Sequence, residues 1–248
     1  MAGEQPQRAA SEVQEQYDRV AAQYDDRWAA YVRHTLEAFL ARSQPIESLD
    51  SGSKVLDVGT GTGALVKALH AKYPTHCYSG VDISEKMIEE ARGGVPDATF
   101  VHGSAEALPF PDSSFDAVVS LSSLHFWTNP AAGLQEMARV LRPGGVLIVS
   151  DWCHDYLVCK LCAWYLWLTP GHSRADWSIL GSRAVAYMVS NAGLDTRPAD
   201  CYEIDSRVFG KAWLPRWGMM AFTATKPTKS TPLQGEQVAA FERDGYLL

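Results

Sequence analysis

The chain has 248 residues, 46% hydrophobic and 21% charged, an ordinary balance for a globular protein that buries one α/β core. Its net charge of −7 offers no general field for phosphate backbones, so nucleic-acid substrates are disfavoured. The longest apolar stretch, 156–168, is interrupted by Lys160 and is too short to span a bilayer. Reversible contact with a membrane surface, which the aromatic insertion after 151 would allow, is the less favoured expectation. The first sixteen residues lack the apolar run of a secretory leader, and five cysteines, an odd number, read as reduced thiols of a cytoplasmic protein.

Residues 11–43 carry helical spacing, with Val13, Tyr17, Val20 and Tyr24 on one face and Leu36, Phe39 and Leu40 further on. A loop (45–53) leads into strict alternation of strands and helices. Strands are expected at 54–58, 77–81, 99–101, 115–121 and 146–150, and helices at 63–73, 84–92 and 130–141. Ser84 reads as an N-cap ahead of an acidic first turn, and "RPGG" (142–145) as a helix stop. Apolar strands alternating with helices predict a parallel sheet covered on both faces. Beyond 151 lies an aromatic-rich insertion, then a helix over 182–191 and two strands near 202–206 and 218–225, expected as an antiparallel edge.

The first strand runs into "GTGTGA" (59–64), where glycines allow positive φ and bring a ligand against bare backbone. Asp82 ends the second strand about 20 residues later, placed to accept hydrogen bonds from ribose hydroxyls. Loop and carboxylate converge at the carboxyl ends of neighbouring strands, which points to an adenosine-type ligand. The loop also satisfies G-x-G-x-x-A, so by itself it leaves a dinucleotide open.

Three motifs in combination, the glycine loop, "AEALPF" (105–110) and "LRPGG" (141–145), resemble the class I S-adenosylmethionine-dependent methyltransferases, in particular the ubiquinone/menaquinone-biosynthesis type and its small-molecule relatives. The resemblance spans roughly residues 12–226. It implies a Rossmann-like fold: a mostly parallel seven-stranded sheet with an antiparallel edge, an N-terminal helical lid and a helical insertion after the fifth strand. It implies S-adenosylmethionine as cofactor and S-adenosylhomocysteine as product. Residue by residue, Gly59, Thr60 and Gly61 would face the methionyl part, Asp57 would orient the loop and the amino group, and Asp82 would hold the ribose. Ile83 and Met87 would flank the adenine, Ala105 and Glu106 would lie along its edge, and Ser120 and Leu121 would stand beside the sulfonium. Tyr24 would belong to the lid. Ser104 departs from the family's usual Asp and would accept from the adenine amino group without charge.

His125, just after the fourth strand, is the candidate general base, its alternative being a histidine that shapes the pocket. His172 is a second candidate. The insertion 152–178 is expected to roof the acceptor with Trp152, Trp164 and Trp167, joined by Trp127, which suggests a lipophilic or aromatic small-molecule acceptor methylated at carbon or oxygen. Cys153, Cys159 and Cys162 lack the partners of a metal site, so no metal is expected. Two alternatives stand: a cofactor-binding module without turnover, and an NAD-dependent oxidoreductase. Residues 1–226 read as the methyltransferase domain. Residues 227–248 read as a linker and helix resembling the opening of phytanoyl-CoA dioxygenase-like proteins, so a fused second domain is an expectation.

Overall fold

The computed structural model describes residues 10–161, 180–205 and 216–228. The carboxyl-terminal segment expected as linker and helix lies, from residue 229 on, outside the described residues, as do Trp164, Trp167 and His172.

One sheet organises the molecule. Its strands are β1 (Lys54–Val58), β2 (Cys77–Asp82), β3 (Thr99–His102), β4 (Phe115–Leu121), β5 (Leu141–Trp152), β6 (Asp195–Thr196), β7 (Asp200–Ile204) and β8 (Trp217–Thr225). The order is β3-β2-β1-β4-β5-β8, with β6 and β7 sharing the outer edge of β8. Strands β1 to β5 pair in parallel, while β8 is antiparallel to β5 and to both edge segments. The expected seven positions are therefore present, with the last split into two pieces.

Burial on both faces explains why the strands read as largely apolar runs. Leu56, Val58, Val118, Leu147 and Val149 face one layer, with Leu134, Met137, Val185 and Val189. Those helical residues belong to α6 (Pro130–Val140) and to a later helix, Ser182–Asn191, introduced below as α7. Val55, Ala117, Val119 and Ile148 face the opposite layer, with Leu65, Val66, Leu69 and Ile88. These come from α4 (Ala64–Lys72) and α5 (Glu85–Arg92). A strand buried on both faces has no position for a polar residue unless a partner waits for it.

The amino-terminal segment is helical, as expected, but divided: α1 (Ala10–Val20), a 3₁₀ turn (Ala21–Gln23), α2 (Tyr24–Leu40) and a short α3 (Gln44–Glu47). Polar bonds tie it to the sheet's carboxyl edge. Ser84 Oγ donates to Asp18 Oδ1 at 2.5 Å and Thr62 Oγ1 donates to Asp25 Oδ1 at 2.7 Å. Ser84 also caps α5 as predicted, its Oγ accepting from Met87 N at 3.1 Å.

The "LRPGG" expectation needs correction. The strand starts at Leu141, not after the glycines, because Leu141 pairs with Phe115. A register shift then places Val146 opposite Ala117, and the irregular stretch is closed by Gly144 N to Lys226 O (2.7 Å) and Lys226 N to Gly145 O (3.0 Å). Lys226 Nζ donates to the carbonyls of Ala138 and Leu141, both at 2.7 Å, and so covers the end of α6. Following Trp152, residues 157–161 begin a helix, and α7 (Ser182–Asn191) returns the chain to the sheet. No helix among the described residues is long and apolar enough to cross a membrane.

Lys226→Met keeps the aliphatic stem but strips the last turn of α6 of its donor. We expect a loss of about 1.5–3 kcal/mol, the range for hydrogen bonds to charged groups, in urea unfolding.

Candidate functional site

The strand order reverses between β1 and β4, since β1 is followed on one side by β2 and on the other by β4. Open α/β sheets bind ligands in the crevice at such a point. A cavity lies there. It is lined by the loop after β1, the end of β2, residues 103–106, residues 121–123, Phe126 to Thr128, and the lid residues Tyr17, Tyr24 and Tyr31.

The glycine loop is built from its own amides. Gly59 N and Thr60 N donate to Val81 O at 2.9 and 3.0 Å, Gly63 N donates to Thr60 O at 2.9 Å, and Gly61 N donates to Asp82 Oδ2 at 2.9 Å. Gly59 and Gly61 hold φ of +74° and +53°, and a Cβ on Gly59 would strike Ser123. A side chain at either position would strain this turn.

Two carboxylates face the same crevice. Asp82 is committed on both oxygens, Oδ2 to Gly61 N and Oδ1 to Ser84 N at 2.9 Å, and burial still raises its pKa. Asp57 is 2% exposed. Its Oδ2 accepts from Thr60 Oγ1 at 2.8 Å, while its buried Oδ1 has no hydrogen-bond partner among the described residues. Burial, reinforced by the charge of Asp82, pushes Asp57 up to about 7 despite the Thr60 bond. Burial and the charges of Asp82 and Asp25 likewise push Tyr24 up to about 12, so its phenol stays neutral.

Of the predicted residues, Tyr24, Asp57, Gly59, Thr60, Gly61, Asp82, Ile83, Met87, Ser104, Ala105, Glu106, Leu121 and Trp127 line this cavity. Glu106 Oε1 also accepts from Asn129 N at 2.7 Å, joining the post-β3 segment to the entrance of α6. That segment is clamped from below: Arg139 donates to Leu108 O and Phe110 O at 3.0 and 2.9 Å.

Other predicted residues sit elsewhere. Ser120 is not among the lining residues; it is 1% exposed, and its Oγ lies 2.7 Å from Ser123 Oγ. Successive strand residues point to opposite faces, so Leu121 reaches the cavity and Ser120 stays behind it. His125 is 4% exposed and also stands behind the lining. Its Nδ1 lies 2.6 Å from Asp151 Oδ1, and its ring stacks on Trp152 at 4.1 Å. Trp152 in turn donates from Nε1 to Tyr31 Oη at 2.7 Å, and Tyr31 Oη lies 2.7 Å from Ser122 Oγ. Among the described residues, then, His125 and Trp152 support the wall rather than form its surface.

Sequence reasoning passed over Tyr17, Tyr31, Thr62, Ser122, Ser123 and Phe126, all of which line the cavity. One signal was available: Tyr17, Tyr24 and Tyr31 stand seven residues apart, two helical turns each. Ser122 carries φ +55°, an unusual value for a residue with a side chain, at the carboxyl end of β4.

Residues 56–149 match the methyltransferase domain family. A fatty-acid O-methyltransferase of Mycolicibacterium smegmatis is 38% identical over 102 residues, covering 40% of this chain and 37% of that protein. A demethylmenaquinone methyltransferase of Chlorobaculum tepidum is 33% identical over 153 residues, covering 58% of this chain and 61% of that protein. The chain thus spans less than two thirds of the length of these relatives. Among solved structures, a chain from the complex of the Haloferax volcanii Trm112 methyltransferase activator with its methyltransferase matches with a TM-score of 0.68 at 22% identity, over 85% of this chain and 97% of that one.

The Asp57 pKa has a measurable consequence. Its folded value, about 7, lies above the ordinary 3.8, so the native state holds this proton more tightly than the unfolded chain. The contribution to stability is complete below about pH 4 and is lost as pH rises through about 7. Asp57→Asn cannot ionise. We expect its stability relative to the parent to grow between pH 5 and pH 8 in unfolding experiments, by at most about 3 kcal/mol. A difference independent of pH would show that Asp57 titrates normally.

Proposed function

We propose that this chain, a class I S-adenosylmethionine-dependent methyltransferase by its domain and fold, passes the methyl group of S-adenosylmethionine to a lipophilic small molecule at carbon or oxygen. The supporting observation is the state of the glycine loop. A dinucleotide's pyrophosphate needs unspent amides at the loop. Here the amides of residues 59, 60, 61 and 63 are already bonded within the protein, one of them to Asp82. The partnerless oxygen of Asp57 suits a cation instead. A sulfonium compound with an ammonium group and a ribose fits that chemistry, and an NAD-dependent oxidoreductase does not.

The cofactor, when bound, supplies a methyl group already activated on sulfur. The protein's work is then holding, aligning and excluding water. On this reading Asp57 pairs with the ammonium group through Oδ1, and Asp82 accepts from the ribose hydroxyls with its remaining lone pairs. Ile83, Met87, Ser104 and Ala105 enclose the adenine. The lid tyrosines Tyr17 and Tyr24 cover the crevice and remove water from it. Leu121 and Ser122, at the end of β4, border the side from which an acceptor approaches, and the Tyr31–Ser122 hydroxyl pair offers hydrogen bonds to an acceptor oxygen.

An apolar acceptor is supported by the aromatic lining of Tyr31, Phe126 and Trp127, and by the relatives' names, which specify a fatty acid in one case and demethylmenaquinone in the other. The expected roof, 152–178, would complete that half of the site. His125 serves this reaction as a positioning residue, fixing Trp152 and through it Tyr31.

Calorimetry with S-adenosylhomocysteine and NAD in parallel tests the reading. We expect a saturable signal for S-adenosylhomocysteine alone, with affinity falling at least about tenfold in Asp82→Ala, the equivalent of 1.4 kcal/mol or more. Binding of NAD in preference would overturn the assignment, and an Asp82→Ala variant with full affinity would move the site elsewhere.

A further inference from the structure

Cys153, Asp155 and Cys201 form a cluster outside the cavity. Their ligand atoms, two sulfurs and a carboxylate oxygen, all lie within 4.8 Å of one another. The sequence weighed Cys153 with Cys159 and Cys162, the cysteines nearest to it. The fold pairs it differently. Cys159 is fully buried and its thiol donates to Gly218 O at 3.7 Å, the environment of a small hydrophobic side chain. Cys201 comes to Cys153 from 48 positions away, because β8 lies between β5 and β7 and aligns their ends.

Both thiols are mounted on sheet backbone. Cys153 N donates to Gly218 O at 3.0 Å on one side of β8, and Cys201 pairs with Met220 on the other. Asp155 is fixed too: its Oδ2 accepts from Ser182 N at 3.1 Å and from Ser182 Oγ. Cys201 is exposed, so it is not there to fill a core, and an ion could reach the cluster from solvent.

We propose that Cys153, Asp155 and Cys201 bind one zinc-class divalent cation, with a fourth position open to water. In tetrahedral zinc sites, metal–sulfur bonds of about 2.3 Å set sulfur atoms about 3.8 Å apart, a spacing this cluster reaches by small side-chain rotations. The two thiols lose their protons to solvent on binding, and with the carboxylate they leave the occupied site one negative charge. The ion would join three parts of the chain: the end of β5, the edge strand β7 and, through the Asp155–Ser182 bonds, the start of α7. This bears on the root of the insertion and does not depend on the reaction proposed above.

Cobalt(II), which replaces zinc and reports thiolate ligation by a charge-transfer absorption band, is the probe. The full chain is reduced, freed of metal and titrated with cobalt chloride, then with zinc. We expect the band to saturate at about one cobalt per chain and to be displaced by zinc. Cys201→Ser, an exposed position that should fold normally, is expected to weaken binding at least about tenfold, while Cys77→Ser, an exposed cysteine outside the cluster, leaves it unchanged. Absence of a saturable band, or a Cys201→Ser affinity reduced by less than tenfold, overturns the site.

Discussion

The carboxylate of Asp82 holds the architecture of the crevice together. One oxygen takes the amide of Gly61 and the other takes that of Ser84, so a single side chain fixes the loop after β1 to the start of α5. Ser84 then caps α5 and reaches Asp18 of the lid, and the loop reaches Asp25 of the lid through Thr62. The lid's position is thus set by contacts made to the same few residues that shape the crevice. Burying this charge is unfavourable, as its raised pKa records, and the amide bonds offset part of that cost.

The sheet supplies what the carboxylates need. Its strands are apolar on both faces, so the crevice at their carboxyl ends is the place where Asp57 and Asp82 can sit with a polar partner within reach. Beneath the opposite wall, Arg139 locks the segment after β3 to α6, and Lys226 closes the end of that helix. The wall behind Tyr31 is layered: Asp151 holds His125, His125 stacks on Trp152, and Trp152 holds Tyr31 against Ser122.

Local signals were enough for much of this. Lys54–Val58 and Phe115–Leu121 are largely apolar runs bounded by turn residues, and they form strands with those limits. Asp57 and Asp82, at the carboxyl ends of their strands, and the glycines that follow β1 declare themselves by position. What escaped depends on distant partners. The chain at Pro143-Gly144-Gly145 looks like a stop, yet Leu141 is already paired to Phe115 and Lys226 returns from the far end to cover it. A histidine after a strand gives no indication of which side of a wall it occupies; Asp151 and Trp152 decide that for His125. Cys201 pairs with Cys153 only because β8 inserts antiparallel between their strands, which no spacing rule expresses. Tyr17, Tyr24 and Tyr31 were legible as a seven-residue stripe, but a stripe alone does not say whether it covers a core or a crevice.

Ser122 sits in the left-handed region beside the cavity, where a side chain carries a backbone cost of roughly 1–3 kcal/mol. Glycine would adopt that conformation freely, and the hydroxyl that meets Tyr31 would be gone. Stability and chemistry therefore pull this position toward different residues. A library selected for heat resistance alone would drift to glycine here, while one selected for turnover would hold serine, so the residue found after each selection separates what the fold prefers from what the site requires.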